Sequence, residues 1–174
     1  MVGTHETFAV NAMVRTSGVV NDKPQIAVSQ DGQVASGFGL GIRTGASCPA
    51  EAGGSCWAFW VNSSDSTNPS PKISASSLPV VPDQWMSLTG VYNATTGTVQ
   101  LWVCAPVGFA PPGPAPATAV PAPITATGVF RVGRGLSGGV SNDMWLGDVN
   151  SVRAYTHVPS IVDEMTRDCR STGA

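Results

Sequence analysis

Valine dominates the branched aliphatic residues of this chain, with 22 Val against 6 Leu and 5 Ile. A β-branched side chain is stiff at χ1 and fits the pleated, half-buried surface of a strand better than the crowded face of a helix. The bulk of the chain therefore reads as β-sheet. Twenty Gly and fourteen Pro among 174 residues break it at short intervals, as a protein of many antiparallel turns requires. That length fits one core, and the reading is one domain over residues 1–174. With 42% hydrophobic and 11% charged residues, the chain is too apolar for intrinsic disorder. Nine Lys and Arg against eleven Asp and Glu give a net charge of −2 with no basic block, so the electrostatic footprint of a nucleic-acid binder is absent. No apolar run is long enough to span a bilayer. The first residues lack the basic start and apolar stretch of an export signal.

Alternation of period two places the strands. Phe8, Val10, Ala12 and Val14 share one face of the first. Extended structure resumes at Gln25–Ser29 after a turn over Val19–Pro24, and Asp31-Gly32 is a hairpin signal. Phe38, Leu40 and Ile42 alternate with Gly39 and Gly41, which leave the other face bare for a close approach by backbone or ligand. In Cys56–Val61, Trp57, Phe59 and Val61 oppose Ala58 and Trp60. Residues 62–71 read as a loop and Leu78–Pro82 as an extended edge at most. Trp85–Tyr92 and Thr98–Cys104 form a hairpin around Asn93–Gly97. Residues 105–123 hold seven of the fourteen prolines and read as a long surface insertion, a composition ill suited to a β ladder. Gly128–Gly133 and Leu146–Tyr155 are further strands, and Ser160 caps a short helix over residues 160–167. Turn-bounded strands without alternating helices indicate an all-β fold, a two-sheet antiparallel jelly-roll sandwich with a short C-terminal helix. An immunoglobulin-like topology is the rival.

Cys48, Cys56, Cys104 and Cys169 are an even set, and their spacings match neither a zinc ribbon nor a redox motif. An oxidising, extracellular compartment fits best. Of the three connectivities, the favoured one joins Cys48 to Cys56 and Cys104 to Cys169. On a chain-entropy model those bridges stabilise by about 2.5 and about 4 kcal/mol.

Six segments, in order, carry a family likeness: FAVNAMVRT (8–16), VSQDGQVASGFGLGI (28–42), CWAFWV (56–61), WMSLTGVYNATTGTVQLWV (85–103), FRVGRG (130–135) and MWLGDVNSVRAY (144–155). Together they resemble the laminin-G-like, concanavalin-A-like jelly-roll domains of secreted actinobacterial proteins. The resemblance implies a non-catalytic module that mediates carbohydrate or protein adhesion as part of a larger secreted protein. Three departures stand out. The family starts with an additional strand, whereas seven residues precede Phe8; the chain reads as excised from something larger, or as taking that strand from a neighbour and leaving an edge open. Related proteins carry an acidic residue just ahead of the V-R-x-Y motif, where it contributes to a structural calcium site; here Asn150-Ser151 stand there, leaving Asp148 and Asn150 as candidate ligands. The Pro-rich segment replaces a short hairpin connection.

Hydrolysis of a glycosidic bond needs two carboxyl groups flanking it. The three Glu, at 6, 51 and 164, sit in no acidic run on a strand, and neither His5 nor His157 adjoins a nucleophile turn. The chain therefore reads as a non-enzyme. A sugar-binding surface instead needs an aromatic plane with polar partners. Trp60 and Trp102, on faces opposite Phe59 and Leu101, are the candidate platforms, with Asp31 and Asn62 as polar partners. The expected partners are a glycan or protein surface and other domains of a parent protein, with no nucleic acid and no membrane insertion. The alternative is an assembly module that packs on other subunits through an open sheet edge and the Pro-rich loop, favoured by low charge and a mean hydropathy of +0.10.

Overall fold

The computed structural model describes residues 1–19, 23–105, 113–120 and 122–170. Strands β1 (Phe8–Thr16), β2 (Gln25–Asp31), β3 (Ser36–Thr44), β4 (Ser55–Asn62), β5 (Pro71–Pro79), β6 (Trp85–Asn93) and β7 (Thr98–Cys104) come first. Six shorter or later strands follow: β8 (Gly113–Pro114), β9 (Thr118–Ala119), β10 (Phe130–Val132), β11 (Gly135–Ser137), β12 (Val140–Asn142) and β13 (Gly147–Tyr155). One sheet runs β13-β1-β6-β7-β8, with β9 also on β7; the other runs β10-β2-β3-β4-β5; β11 and β12 form a separate ribbon. All named pairings are antiparallel. This is the jelly-roll sandwich that the strand pattern predicts.

The core lies between the two large sheets. Phe8, Val10, Ala12 and Val14 of β1 face Phe38, Leu40 and Ile42 of β3 and Trp57, Phe59 and Val61 of β4 in one buried cluster. At its centre the rings of Phe8, Phe38, Phe59 and Tyr92 meet at centroid distances of 5.2 to 6.1 Å, tilted or edge-on. Those geometries suit ring quadrupoles better than face-to-face stacking.

Three segments differ from the sequence reading. The first is the strand read at Leu78–Pro82, which runs instead over Pro71–Pro79 and takes in part of the predicted loop. Its prolines lie at the two ends, where a missing N–H is tolerated, and its polar KISASS run hides the alternation of an edge strand. Ser74 and Ser76 face inward; Ser74 accepts a hydrogen bond from Leu101 N at 3.0 Å and donates to Pro116 O at 2.7 Å. The second is the Pro-rich segment, whose described part forms the β ladder that its composition argued against: β8 and β9 both pair with β7. The residues between the prolines supply the donors, Ala115 N to Leu101 O and Val120 N to Gly97 O, each at 2.7 Å. Both of these residues are buried. The rest of the segment, 106–112 and 121, and residues 20–22 of the turn read at Val19–Pro24 lie outside the described residues.

The third difference is at the C-terminus. Ser160 does cap, its hydroxyl accepting from Asp163 N at 3.3 Å. The first turn over Ile161–Met165 is a π-turn, and the regular α-helix, α1, covers Thr166–Arg170. Met165 packs on Ala9 and Val91, so this segment covers the outer face of the β1-containing sheet. Bridges join Cys48 to Cys56 and Cys104 to Cys169, with Cα atoms 5.5 and 5.9 Å apart; the second ties α1 to β7. Beneath α1 the carboxylate of Asp168, 1% exposed, accepts from Tyr155 Oη and pairs with Arg153 and Arg167 at 3.2 Å each.

Candidate functional site

The alternation of β4 that buries Trp57, Phe59 and Val61 in the core turns Ala58 and Trp60 to the outer face of their sheet. Trp60 stands opposite Gly39 of β3. A Cβ added at Gly39 would lie 2.3 Å from Cζ2 of the indole, and one at Gly41 would lie 2.1 Å from Gln25 O. The bare face read at these glycines is thus filled by a tryptophan and by the neighbouring strand, and the indole is 3% exposed. Two residues beyond Gly41 on the same face, Arg43 lays its guanidinium over Trp60, Cζ to ring centroid 5.0 Å, within reach of the ring quadrupole.

The hairpin β11–β12 supplies the opposite wall. Its two-residue loop, Gly138-Gly139, has φ of +60° and +77°, the left-handed pair that a primed hairpin turn demands and glycine accepts without strain. Leu136 N donates to Ser36 Oγ at 2.8 Å, and the chain leaves the hairpin through Asp143, held at φ +53°. Ile26 N donates to Asp143 O at 2.8 Å, which fixes that residue against β2.

Between these walls lies a pocket of about 200 Å³ lined by Trp60, Arg43, Asn62, Asp143, Ser137 and Pro71, among others. Burial pushes the Arg43 guanidinium below its ordinary pKa, more than nearby Asp143 raises it. Burial also pushes the Asp143 carboxyl up, more than Arg43 and Lys23 pull it down. The two charges sense each other without forming an ion pair, and the Arg43 side chain has one long contact, Nη2 to Ser47 Oγ at 3.5 Å. Asn62, 5% exposed, donates from Nδ2 to Ser36 O at 2.7 Å, while its Oδ1 has no hydrogen-bond partner. A buried amide oxygen without a donor is costly. The arrangement presents a guanidinium donor backed by a buried indole, with carboxylate and amide acceptors around one concavity. That is the equipment for holding a polyhydroxylated ring.

The structure thus brings Trp60 and Asn62 together and sets the other candidates elsewhere. Asp31 is 7% exposed and engaged by Arg131 Nε at 3.2 Å and Arg134 Nη2 at 3.0 Å. Trp102 belongs to the other sheet, where it packs beside Val91 and Tyr155 and lines a groove of about 340 Å³ with Gln100, Thr98 and Val158. The residues implied for calcium do not fit the ion. Asp148 Oδ2 accepts from Arg15 Nε at 3.0 Å and Nη2 at 2.7 Å, Asn150 Oδ1 accepts from Ser151 N at 2.7 Å, and no group of three or more His, Cys, Asp or Glu side chains is placed to hold a metal among the described residues. Arg43, Ser137 and Asp143 are the site residues that the sequence reading omits. The Gly138-Gly139 pair between two short polar runs was the available signal for the hairpin. Nothing local marks Arg43.

No family model matches the chain, and no curated protein matches it. Among solved structures, a CBM40 carbohydrate-binding module of a Ruminococcus gnavus IT-sialidase superposes with a TM-score of 0.64 at 14% identity, covering 99% of this chain and 85% of that one. The same module bound to α2,3-sialyllactose gives 0.63 at 14% identity over 93% and 82%. A heptameric SAP-like pentraxin from Limulus polyphemus gives 0.62 at 14% identity over 97% and 70%. At such identities the likeness establishes the jelly-roll fold alone, and function has to be argued from the site.

Proposed function

We propose that this chain is a non-catalytic carbohydrate-binding module that seats a sugar unit in the pocket over Trp60. The observation that carries the reading is the convergence on one concavity of an indole, Asp143, a half-buried guanidinium and the Oδ1 of Asn62, the last two without an ion-pair or hydrogen-bond partner respectively among the described residues. Trp60 acts chiefly as the floor that holds Arg43, since the indole is 3% exposed. The sialyllactose-bound structures of similar fold support a glycan as the class of ligand. Two disulfides support a secreted or cell-surface setting, with the module serving a larger protein. Among the described residues no helix is long and apolar enough to cross a membrane.

A glycan array followed by calorimetry tests this. Asn62→Ala is expected to weaken the array's best ligand about 10-fold or more, while Trp102→Ala leaves it unchanged. Equal loss in Trp102→Ala alone would move the site to the opposite sheet. A rival assembly reading draws on β13, a nine-residue edge strand with many exposed residues, and on exposed Val132, Val140 and Met144 nearby in sequence. Light scattering over a range of concentrations separates the two: a defined oligomer supports assembly.

A further inference from the structure

Arg43 differs from the paired arginines of the molecule. Arg15 meets Asp148, Arg131 and Arg134 meet Asp31, and Arg153 and Arg167 meet Asp168, all at 3.2 Å or less. Arg43 forms no ion pair among the described residues, although it is half-buried and burial opposes its charge. Such a group is expected to find a compensating partner. The indole face at 5.0 Å supplies part of that compensation, and the planar fork of N–H donors at the edge of the guanidinium is left with the single 3.5 Å contact to Ser47.

We infer that the pocket over Trp60 takes a glycan unit bearing a negative charge, a carboxylate or a sulfate, with the anionic group seated against Arg43. The inference rests on the glycan-binding reading above and narrows its ligand class. A guanidinium offers paired donors that match the oxygens of a carboxylate or sulfate, and charge-assisted bonds of this kind are the strong ones. Its place over Trp60 holds the guanidinium at the pocket before the ligand arrives. Asp143, across the same pocket, sets the orientation: its carboxylate repels the anion toward Arg43 and accepts from a hydroxyl of the ring. Asn62 Oδ1, unpartnered in the wall, receives a second hydroxyl after a small side-chain adjustment. The net charge of −2 argues against general attraction of anions, so the preference is local to this pocket.

The test uses ligands matched in backbone and different in charge: α2,3-sialyllactose and 3′-sulfolactose against lactose, and an oligogalacturonate against its methyl ester, titrated by calorimetry into the whole chain. At least one acidic ligand is expected to bind about 10-fold tighter than its neutral counterpart, and the pairs separate carboxylate from sulfate. Arg43→Gln should reduce that preference to within about twofold, and Arg43→Lys should restore it in part, keeping the charge without the fork. Should Arg43→Gln fail to fold, added salt gives the second measurement, weakening the acidic ligand and sparing the neutral one. Equal affinity for acidic and neutral partners overturns the inference while the glycan reading stands. Binding to no member of these pairs, with a neutral glycan captured on the array, overturns it likewise. Silence on the array as well overturns both.

Discussion

Gly39→Ala perturbs the floor of the pocket without touching any group offered to a ligand. The added methyl would stand 2.3, 2.5 and 2.9 Å from Cζ2, Cε2 and Cη2 of Trp60, where carbon atoms rest at about 3.5 to 4.0 Å. The indole is rigid and buried beneath Arg43 and among Ile26, Ala58, Ile73 and Ala75, so the whole ring has to shift by about 1 Å or more to restore contact distance. Overpacking of this kind costs about 1 to 3 kcal/mol, against which the stiffer unfolded chain of Ala over Gly returns up to about 1 kcal/mol. A net loss of about 1 to 2 kcal/mol lowers the melting temperature by about 2 to 8 °C in a domain of this size. Because Arg43 rides on the displaced ring, affinity for the pocket's ligand falls in the same variant. Calorimetric melting and ligand titration of Gly39→Ala, Trp60→Phe and the double variant close a cycle. The phenyl ring lacks the outer indole atoms that the methyl strikes, so the two changes should be non-additive by at least about 0.5 kcal/mol. Strict additivity, or a Gly39→Ala chain that melts no lower and binds as before, would refute the packing argument.

The bridge between Cys104 and Cys169 closes 65 residues and that between Cys48 and Cys56 closes 8, so replacing the first pair with Ala should cost about 4 kcal/mol and the second about 2.5 kcal/mol; denaturant melts of the two double variants rank them. At Asp65, burial raises the carboxyl pKa, but backbone N–H bonds from Gln33, Ala35 and Val34 together outweigh it and hold the group below the usual carboxylate range. A depressed carboxyl contributes stability above its unfolded pKa and loses it as the pH falls through the folded one. Asp65→Asn should therefore melt lower at neutral pH and lose less on acidification below about pH 4. Burial, then the hydrogen bond to Asp168, push the Tyr155 hydroxyl up to about 12. Unfolded Tyr ionises first, so this residue's contribution falls as the pH rises above about 10. Ultraviolet titration should show one phenol ionising late, absent in Tyr155→Phe.

Much of the architecture was legible because burial imposes a period of two wherever one face of a strand is in the core. The inward face of Phe8, Val10, Ala12 and Val14 follows from that alternation alone, and the Asn93–Gly97 hairpin between β6 and β7 from its turn residues. The reading failed where the rule stops applying. β5 is an edge strand that turns Ser74 and Ser76 inward, so its polar residues mimic a loop. β8 and β9 need only Ala115 and Val120 to donate, and a count of prolines obscures where the remaining N–H groups fall. In both cases the partner strand supplied the order that the segment's own composition did not advertise.

The pocket divides along the same line. Trp60 was legible as an outward residue, since it alternates with Trp57, Phe59 and Val61, and Asn62 follows it at the strand end. Arg43 and Asp143 were not, because their significance is a relation between distant parts of the chain: β3 places the guanidinium on an indole from β4, and the hairpin β11–β12 brings Asp143 across from it. A glycine pattern was visible at Gly39 and Gly41, and its physical meaning was correctly a close approach. The approaching group turned out to be the indole itself at Gly39 and the β2 backbone at Gly41. The glycine at 39 therefore matters to binding at one remove, by letting a large ring lie flat on the sheet and carry a cation above it. A ligand that reads this surface meets Arg43 before it meets the tryptophan. For that reason the charge of the glycan, more than the area of aromatic surface, is the property on which recognition here is expected to turn.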